Sequence, residues 1–172
     1  MSLSRVIVSD TGPLISLEKL SDGYLFIRKL YDSILIPTAV ANELFQGEFA
    51  SWSDYERNYG LTELVERVEV ELVSDLPGLA LLDPGERQAI QLAYAKRLPL
   101  LIEDEQGRRV AQDLGLQFSG IAGQILKARR LALITDIEAQ AKFTELLRAG
   151  RLGKQLYRGL LEAIGGLLEA IE

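Results

Sequence analysis

Four acidic residues stand where a strand–helix pattern can gather carboxylates: Asp10, Glu43, Glu86 and Asp104. Asp10 closes the apolar run Val6-Ile7-Val8-Ser9, and Asp104 follows Leu98–Ile102 and Glu103. Carboxylates pressed together repel one another and raise each other's pKa unless something positive relieves them. All-oxygen donors suit Mg2+ or Mn2+. Such an ion can activate water and stabilise a leaving oxygen, which makes phosphodiester hydrolysis the reaction to expect. The chain has no histidine and no cysteine. That excludes Ser-His-Asp and Cys-His catalysis, imidazole or thiolate zinc, and any disulfide framework. Carboxylate–metal chemistry needs none of them.

Each acid also has a plainer reading. Asp10 can cap the helix that follows it, and Glu43 can be a solvated helix residue. Glu86 is accounted for by a capping box with Asp83, and Asp104, between Glu103 and Glu105, by an exposed acidic turn. Their order along the chain is what raises them together.

The elements that must position these residues alternate. Arg5–Ser9 reads as a buried strand, Leu14–Leu20 as a helix with Pro13 in its first turn, and Tyr24–Leu30 as a second helix. Ser33–Ile36 is the next strand, and Val40, Leu44 and Phe45 mark one face of a helix with Thr38 as candidate cap. Residues 46–62, with Trp52, Tyr55 and Tyr59, fit a helical insertion or a mobile lid. Val65–Val73 alternates as an edge strand, with Val68, Val70 and Leu72 on one face. Asp83-Pro84-Gly85-Glu86 opens a helix whose inner face continues through Ile90, Ala93 and Tyr94. Leu98–Ile102 is a buried strand, followed by a helix through Arg109, Val110 and Leu114 to Gly115. Leu116–Phe118 is a short strand and Gly120–Arg130 a helix. Two further helices, broken near Gly150 and Gly153, fill 136–172. This alternation predicts a parallel α/β sheet with its site beyond the carboxyl ends of the strands.

The 172 residues suit one domain with a real core, and 48% hydrophobic with 26% charged residues is a globular composition. No stretch reaches the length of a membrane span and the start lacks a secretory pattern, so a cytoplasmic location is expected. The net charge of −6 argues against broad non-specific nucleic-acid binding and leaves room for a local basic groove.

Five segments in order carry a resemblance: Val8–Leu17 (VSDTGPLISL), Ile36–Leu44 (IPTAVANEL), Leu82–Ile90 (LDPGERQAI), Leu101–Gly115 and Gly120–Arg130. Together they resemble the PIN-like branch once described as an uncharacterised family and related to toxin-type ribonucleases. The resemblance implies a three-layer α/β/α PIN-like fold around a parallel sheet and a Mg2+- or Mn2+-dependent endoribonuclease. It implies a nuclease domain over 1–135 with a C-terminal helical extension over 136–172 packing on it. Asp10 and Asp104 become direct metal ligands, Glu43 and Glu86 ligands through water, and Thr11 a hydroxyl that steadies the first acid. Two positions depart from the family pattern. Glu103-Asp104 stands where paired aspartates are usual, and Gly120-Ile121-Ala122-Gly123 lacks the usual hydroxyl, for which the nearby Ser119 is a substitute.

Arg108 and Arg109 on one helix and Lys127, Arg129 and Arg130 on another either hold RNA phosphates beside the acids or, for the latter three, complement a helix dipole. Arg148, Arg151, Lys154 and Arg158 read as a solvated basic stretch. The expected partners are RNA and a small antitoxin protein. Leu156–Ile171, with Leu160, Leu161, Ile164, Leu167 and Leu168, offers an apolar face for a homodimer or for the domain's own core. Two rival functions remain. One is a catalytically silent PIN-like module that binds RNA or a protein. The other, a phosphatase of the haloacid-dehalogenase type, needs an Asp where the chain has Gly12.

Overall fold

Among the described residues, five short parallel strands form one sheet: β1 (Val6–Ser9), β2 (Ser33–Pro37), β3 (Val65–Val68), β4 (Leu100–Leu101) and β5 (Phe118–Ser119). Their order is β3-β2-β1-β4-β5, so β1 is central and the chain reverses its winding between β1 and β4. The registers Val8↔Leu35 and Ser9↔Leu101 place the carboxyl ends of β1, β2 and β4 side by side. A crevice at such a reversal is where open α/β sheets bind ligands. The computed structural model describes residues 3–71 and 75–169.

Because side chains alternate across a strand, the sheet divides the core in two. Ile7, Ile34, Ile36, Val65 and Leu101 pack into one cluster, with α1 (Thr11–Glu18), α2 (Tyr24–Ile27), α3 (Thr38–Phe45), α4 (Trp52–Tyr59), α7 (Ile121–Arg130), α8 (Asp136–Arg148) and α9 (Lys154–Glu169). Val8, Leu35, Leu100 and Ile102 pack into the other, against α5 (Pro84–Lys96) and α6 (Glu105–Asp113). The result is the expected three-layer α/β/α fold.

Several boundaries differ from the sequence reading. The strand expected over Leu98–Ile102 is a ladder only at Leu100–Leu101, since Pro99 has no N–H to donate. Leu116 is spent on the end of α6, donating to the Ala111 carbonyl at 2.9 Å, so β5 begins at Phe118. Thr38 is the first residue of α3 rather than its cap; Pro37 holds that place. Helix α2 is a single turn. β3 stops at Val68, and Leu72 and Val73 lie outside the described residues. Tyr94, expected inside, is 47% exposed, whereas Ile90 and Ala93 are fully buried.

Residues 46–62 are a helical insertion. Ser51 caps α4 by accepting from Asp54 N, Trp52 stacks on Tyr55 at 5.4 Å, and the Tyr55 hydroxyl meets that of Tyr24 at 2.9 Å. Tyr55 also donates to Glu18. Burial raises the proton affinity of Glu18 and of both tyrosines, and the hydrogen bond from Tyr55 works against that rise at Glu18.

At the other end of the chain, Ala139, Phe143, Leu146, Leu152, Leu160 and Ile164 join the same cluster as Ile7 and Leu14. Leu161 is partly buried there and Leu156 is 56% exposed; the side chains of Leu167, Leu168 and Ile171 lie outside the described residues. Phe143→Ala should cost about 3–5 kcal/mol, the usual range for emptying a buried aromatic site. Urea unfolding should show one transition at a lower midpoint. A separate, early transition would mean that the C-terminal helices fold apart from the sheet.

Candidate metal-binding active site

Asp10 leaves β1 with its backbone N–H bonded to the Leu101 carbonyl at 2.9 Å, which fixes it beside β4. It occupies the cap position of α1, yet its side chain makes no capping bond. The carboxylate is only 5% exposed. Burial raises its pKa from 3.8 to about 7; the Thr11 backbone N–H pulls the other way, and the charges of Glu86, Asp83 and Glu43 push it further up. A helix cap alone does not explain a side chain held in this way.

The second wall comes from α3 and the start of α5. Glu43 accepts a hydrogen bond from the Thr11 hydroxyl, which therefore steadies Glu43 and not, as expected, the first acid Asp10. It also lies against Gly85, where an added Cβ would fall 2.6 Å from its Oε1. A side chain there would displace the Glu43 carboxylate from this place. Asp83 and Glu86 form the expected capping box: Asp83 Oδ1 accepts from Glu86 N at 2.9 Å, and Glu86 Oε2 accepts from Asp83 N at 3.3 Å. Burial, with the charge of Asp83 next, raises the pKa of both Glu43 and Glu86; Asp104 adds to the effect on Glu86.

The third wall follows β4. Asp104 caps α6, accepting from Gly107 N at 3.0 Å. Its neighbour Glu103 is engaged on both oxygens: Oε1 accepts from the Ser16 hydroxyl at 2.6 Å and Arg151 Nη2 at 3.1 Å, and Oε2 accepts from Ile121 N at 3.1 Å. The longer side chain of Glu over Asp thus reaches from the end of β4 to Ser16 in α1 and to the start of α7. Ser119 donates to the Gly120 carbonyl at 2.9 Å, and its Oγ occupies the space that a Cβ on Gly123 would need.

Asp10, Thr11, Gly12, Glu43, Asp83, Glu86, Glu103, Asp104 and Arg151 line one cavity of ≈ 420 Å³. Three of these, Gly12, Asp83 and Arg151, were not among the expected site residues. Asp83 reads from sequence only as a cap, though its place three residues before Glu86 puts it at the same helix start. Arg151 was assigned to a solvated stretch; instead it bonds to Gly12, 139 residues away, a contact that no local pattern announces. The expected RNA-binding cations line other surfaces. Arg109 pairs with Glu105 and Arg129 with Asp136. Lys127 donates to the Tyr31 hydroxyl at 3.3 Å, Arg108 lies 5.7 Å from the Phe118 ring centre, and Arg130 is exposed. Ser119 borders a separate cavity with Tyr31 and Lys127.

In kind, these donors fit a hard divalent cation: all are oxygens, and Asp10, Glu43 and Glu86 each carry a raised proton affinity that a positive charge would relieve. Among the described residues, no three acidic groups already converge as ligands. The reason is local, since Asp83, Glu86 and Asp104 are turned to backbone N–H groups and Glu43 to Thr11.

The Asp10 shift has a sign that can be checked. Well below pH 4 the folded and unfolded chains both hold the proton; as pH rises, the unfolded chain releases it first, so stability falls until about pH 7. The melting temperature of the metal-free chain should therefore drop between about pH 4 and 7, and Asp10→Asn should flatten the drop and melt higher at the alkaline end. A mutant and wild type with parallel profiles would contradict this electrostatic assignment.

The match to a family model described as a PIN domain covers residues 6–166, from β1 through most of α9. No curated protein matches the chain. The matched span contains the whole sheet and every residue lining the acidic cavity. The chain belongs to the PIN domain family, whose fold is of a nuclease type.

Proposed function

We propose that this chain is a Mg2+- or Mn2+-dependent endoribonuclease, with Asp10, Glu43, Glu86 and Asp104 as its catalytic acids. The observation that carries this reading is the meeting of these four on one cavity beyond the carboxyl ends of β1 and β4. When bound, a divalent ion would supply activated water and charge neutralisation for attack on an RNA phosphodiester. Asp10 and Asp104 are assigned to hold it directly, and Glu43 and Glu86 through water. Asp10 must give up its proton on loading. The Thr11 hydroxyl orients Glu43, Glu103 ties Ser16 of α1 to the start of α7 behind the cavity, and Ser119 steadies the Gly120 turn.

In this reading Arg108, beside Gly120, and Arg109, Lys127, Arg129 and Arg130 contact phosphates farther along the strand. Residues 1–135 form the nuclease domain, and 136–172 is a helical extension packed on it. The chain acts in the cytoplasm as the toxin of a toxin–antitoxin pair, with a small basic antitoxin covering the acidic cavity and a second copy completing a homodimer. Among the described residues no helix is long and apolar enough to cross a membrane.

A catalytically silent binding module is the second reading. The engagement of both Glu103 oxygens and the capping role of Asp104 favour it, because neither group is free as the side chains stand.

Cleavage of a fluorogenic single-stranded RNA separates the two. The expected result is cutting with Mn2+ or Mg2+ that EDTA abolishes and Asp10→Asn loses, with Thr11→Val slowed about 10- to 100-fold. Absence of cutting by folded wild type, with RNA binding intact, would establish the silent module instead.

A further inference from the structure

Arg151 is the one cation among the six carboxylates and two other residues lining the acidic cavity. It lies between α8 and α9 and is held from three directions. Its Nε donates to the Ser16 hydroxyl at 2.9 Å, and its Nη2 donates to the Gly12 carbonyl at 2.9 Å and to Glu103 Oε1 at 3.1 Å. A guanidinium has five N–H donors in a rigid plane. These contacts use three, and the two on Nη1 have no hydrogen-bond partner among the described residues. The side chain is 29% exposed, enough to meet a ligand in the cavity while its orientation stays fixed. A packing role would not call for a planar fork beside a cavity with one edge left open.

Charge supplies the ligand. The cavity is acidic, and a nucleic-acid strand is a chain of anions, so it is repelled unless cations meet its phosphates. A divalent ion on the acids would serve one phosphate only. We infer that Arg151 is a substrate-binding residue whose free Nη1 edge takes a phosphate of single-stranded RNA next to the one being cut. This inference rests on the ribonuclease reading. It gives the C-terminal hairpin a part in recognition, because the hairpin delivers the cation while the sheet delivers the acids. Gly12 belongs to the same device, since its carbonyl accepts from Arg151 Nη2 at 2.9 Å.

The test is fluorescence anisotropy with a labelled single-stranded RNA and the full chain in the Asp10→Asn background, across a series of salt concentrations with Mg2+ present. Removing one phosphate contact should weaken binding on the order of tenfold and make the slope of log K against log salt shallower by about 0.7. Arg151→Ala is expected to do both. The exposed neighbours Arg148→Ala and Lys154→Ala are expected to do neither, and Arg151→Lys should keep most of the slope while binding more weakly. Melting curves for each variant identify any that fail to fold, in which case Arg151→Lys and Arg151→Gln carry the comparison. A folded Arg151→Ala with unchanged slope would overturn the inference and leave Arg151 a structural latch, with the ribonuclease reading intact. No RNA binding by the parent Asp10→Asn chain or by wild type in Ca2+ would overturn both.

Discussion

A carboxylate with 5% of its surface exposed, facing three others, is costly to ionise, and Asp10 at the end of the central strand is in that position. The rest of the site can be understood as ways of living with that charge. β1 cannot slip relative to β4, because Asp10 N is bonded to Leu101 O and a shift of one residue would send Ile7 and Val8 to the wrong halves of the core. Register therefore fixes the acid at the crevice. The neighbouring acids are separated from it by being bonded elsewhere: Glu43 to Thr11, Asp83 and Glu86 to each other's backbone, and Asp104 to Gly107.

These bonds have a double consequence. They stabilise the starts of α5 and α6, and they keep the oxygens from converging in the absence of a cation. Helix capping is worth about 1 kcal/mol per cap, far less than a divalent ion can return on a cluster of carboxylates. In the proposed metal-dependent reading the caps would yield to the ion, while Ile90, Ala93 and Ala111 are buried in the core and keep the helices anchored. Glu103 behaves differently. Its four partners, Ser16, Arg151, Ile121 and the packing against Gly120, tie three segments distant in sequence, so it braces the cavity rather than filling it.

Much of the fold was legible because its signals are local. Val6-Ile7-Val8 announces a strand covered on both faces, and Asp83-Pro84-Gly85-Glu86 specifies a helix start down to its two hydrogen bonds. Asp10, Glu86 and Asp104 could be named because each follows or opens an element whose end lies at the same edge of a parallel sheet, whereas Glu43, inside α3, stood out only through the resemblance of Ile36–Leu44. What failed was what depends on tertiary contact. The ends of β4 and β5 are set by Pro99 and by Leu116 closing α6, and Tyr94, in the last turn of α5, is left 47% exposed. Arg151 was hidden among other basic residues, since its partners Gly12, Ser16 and Glu103 are meaningful only after folding.

Calorimetric titration of the wild-type chain with Mn2+ near pH 7.5, repeated in buffers of different ionisation enthalpy, addresses the role of the acids without relying on any substrate. A saturable site is expected, with proton release on binding because Asp10 is partly protonated near neutrality, and Asp10→Asn should lose both the site and the proton. Wild type with no saturable binding, or binding that Asp10→Asn leaves unchanged, would contradict the assignment of this carboxylate cluster as a metal centre.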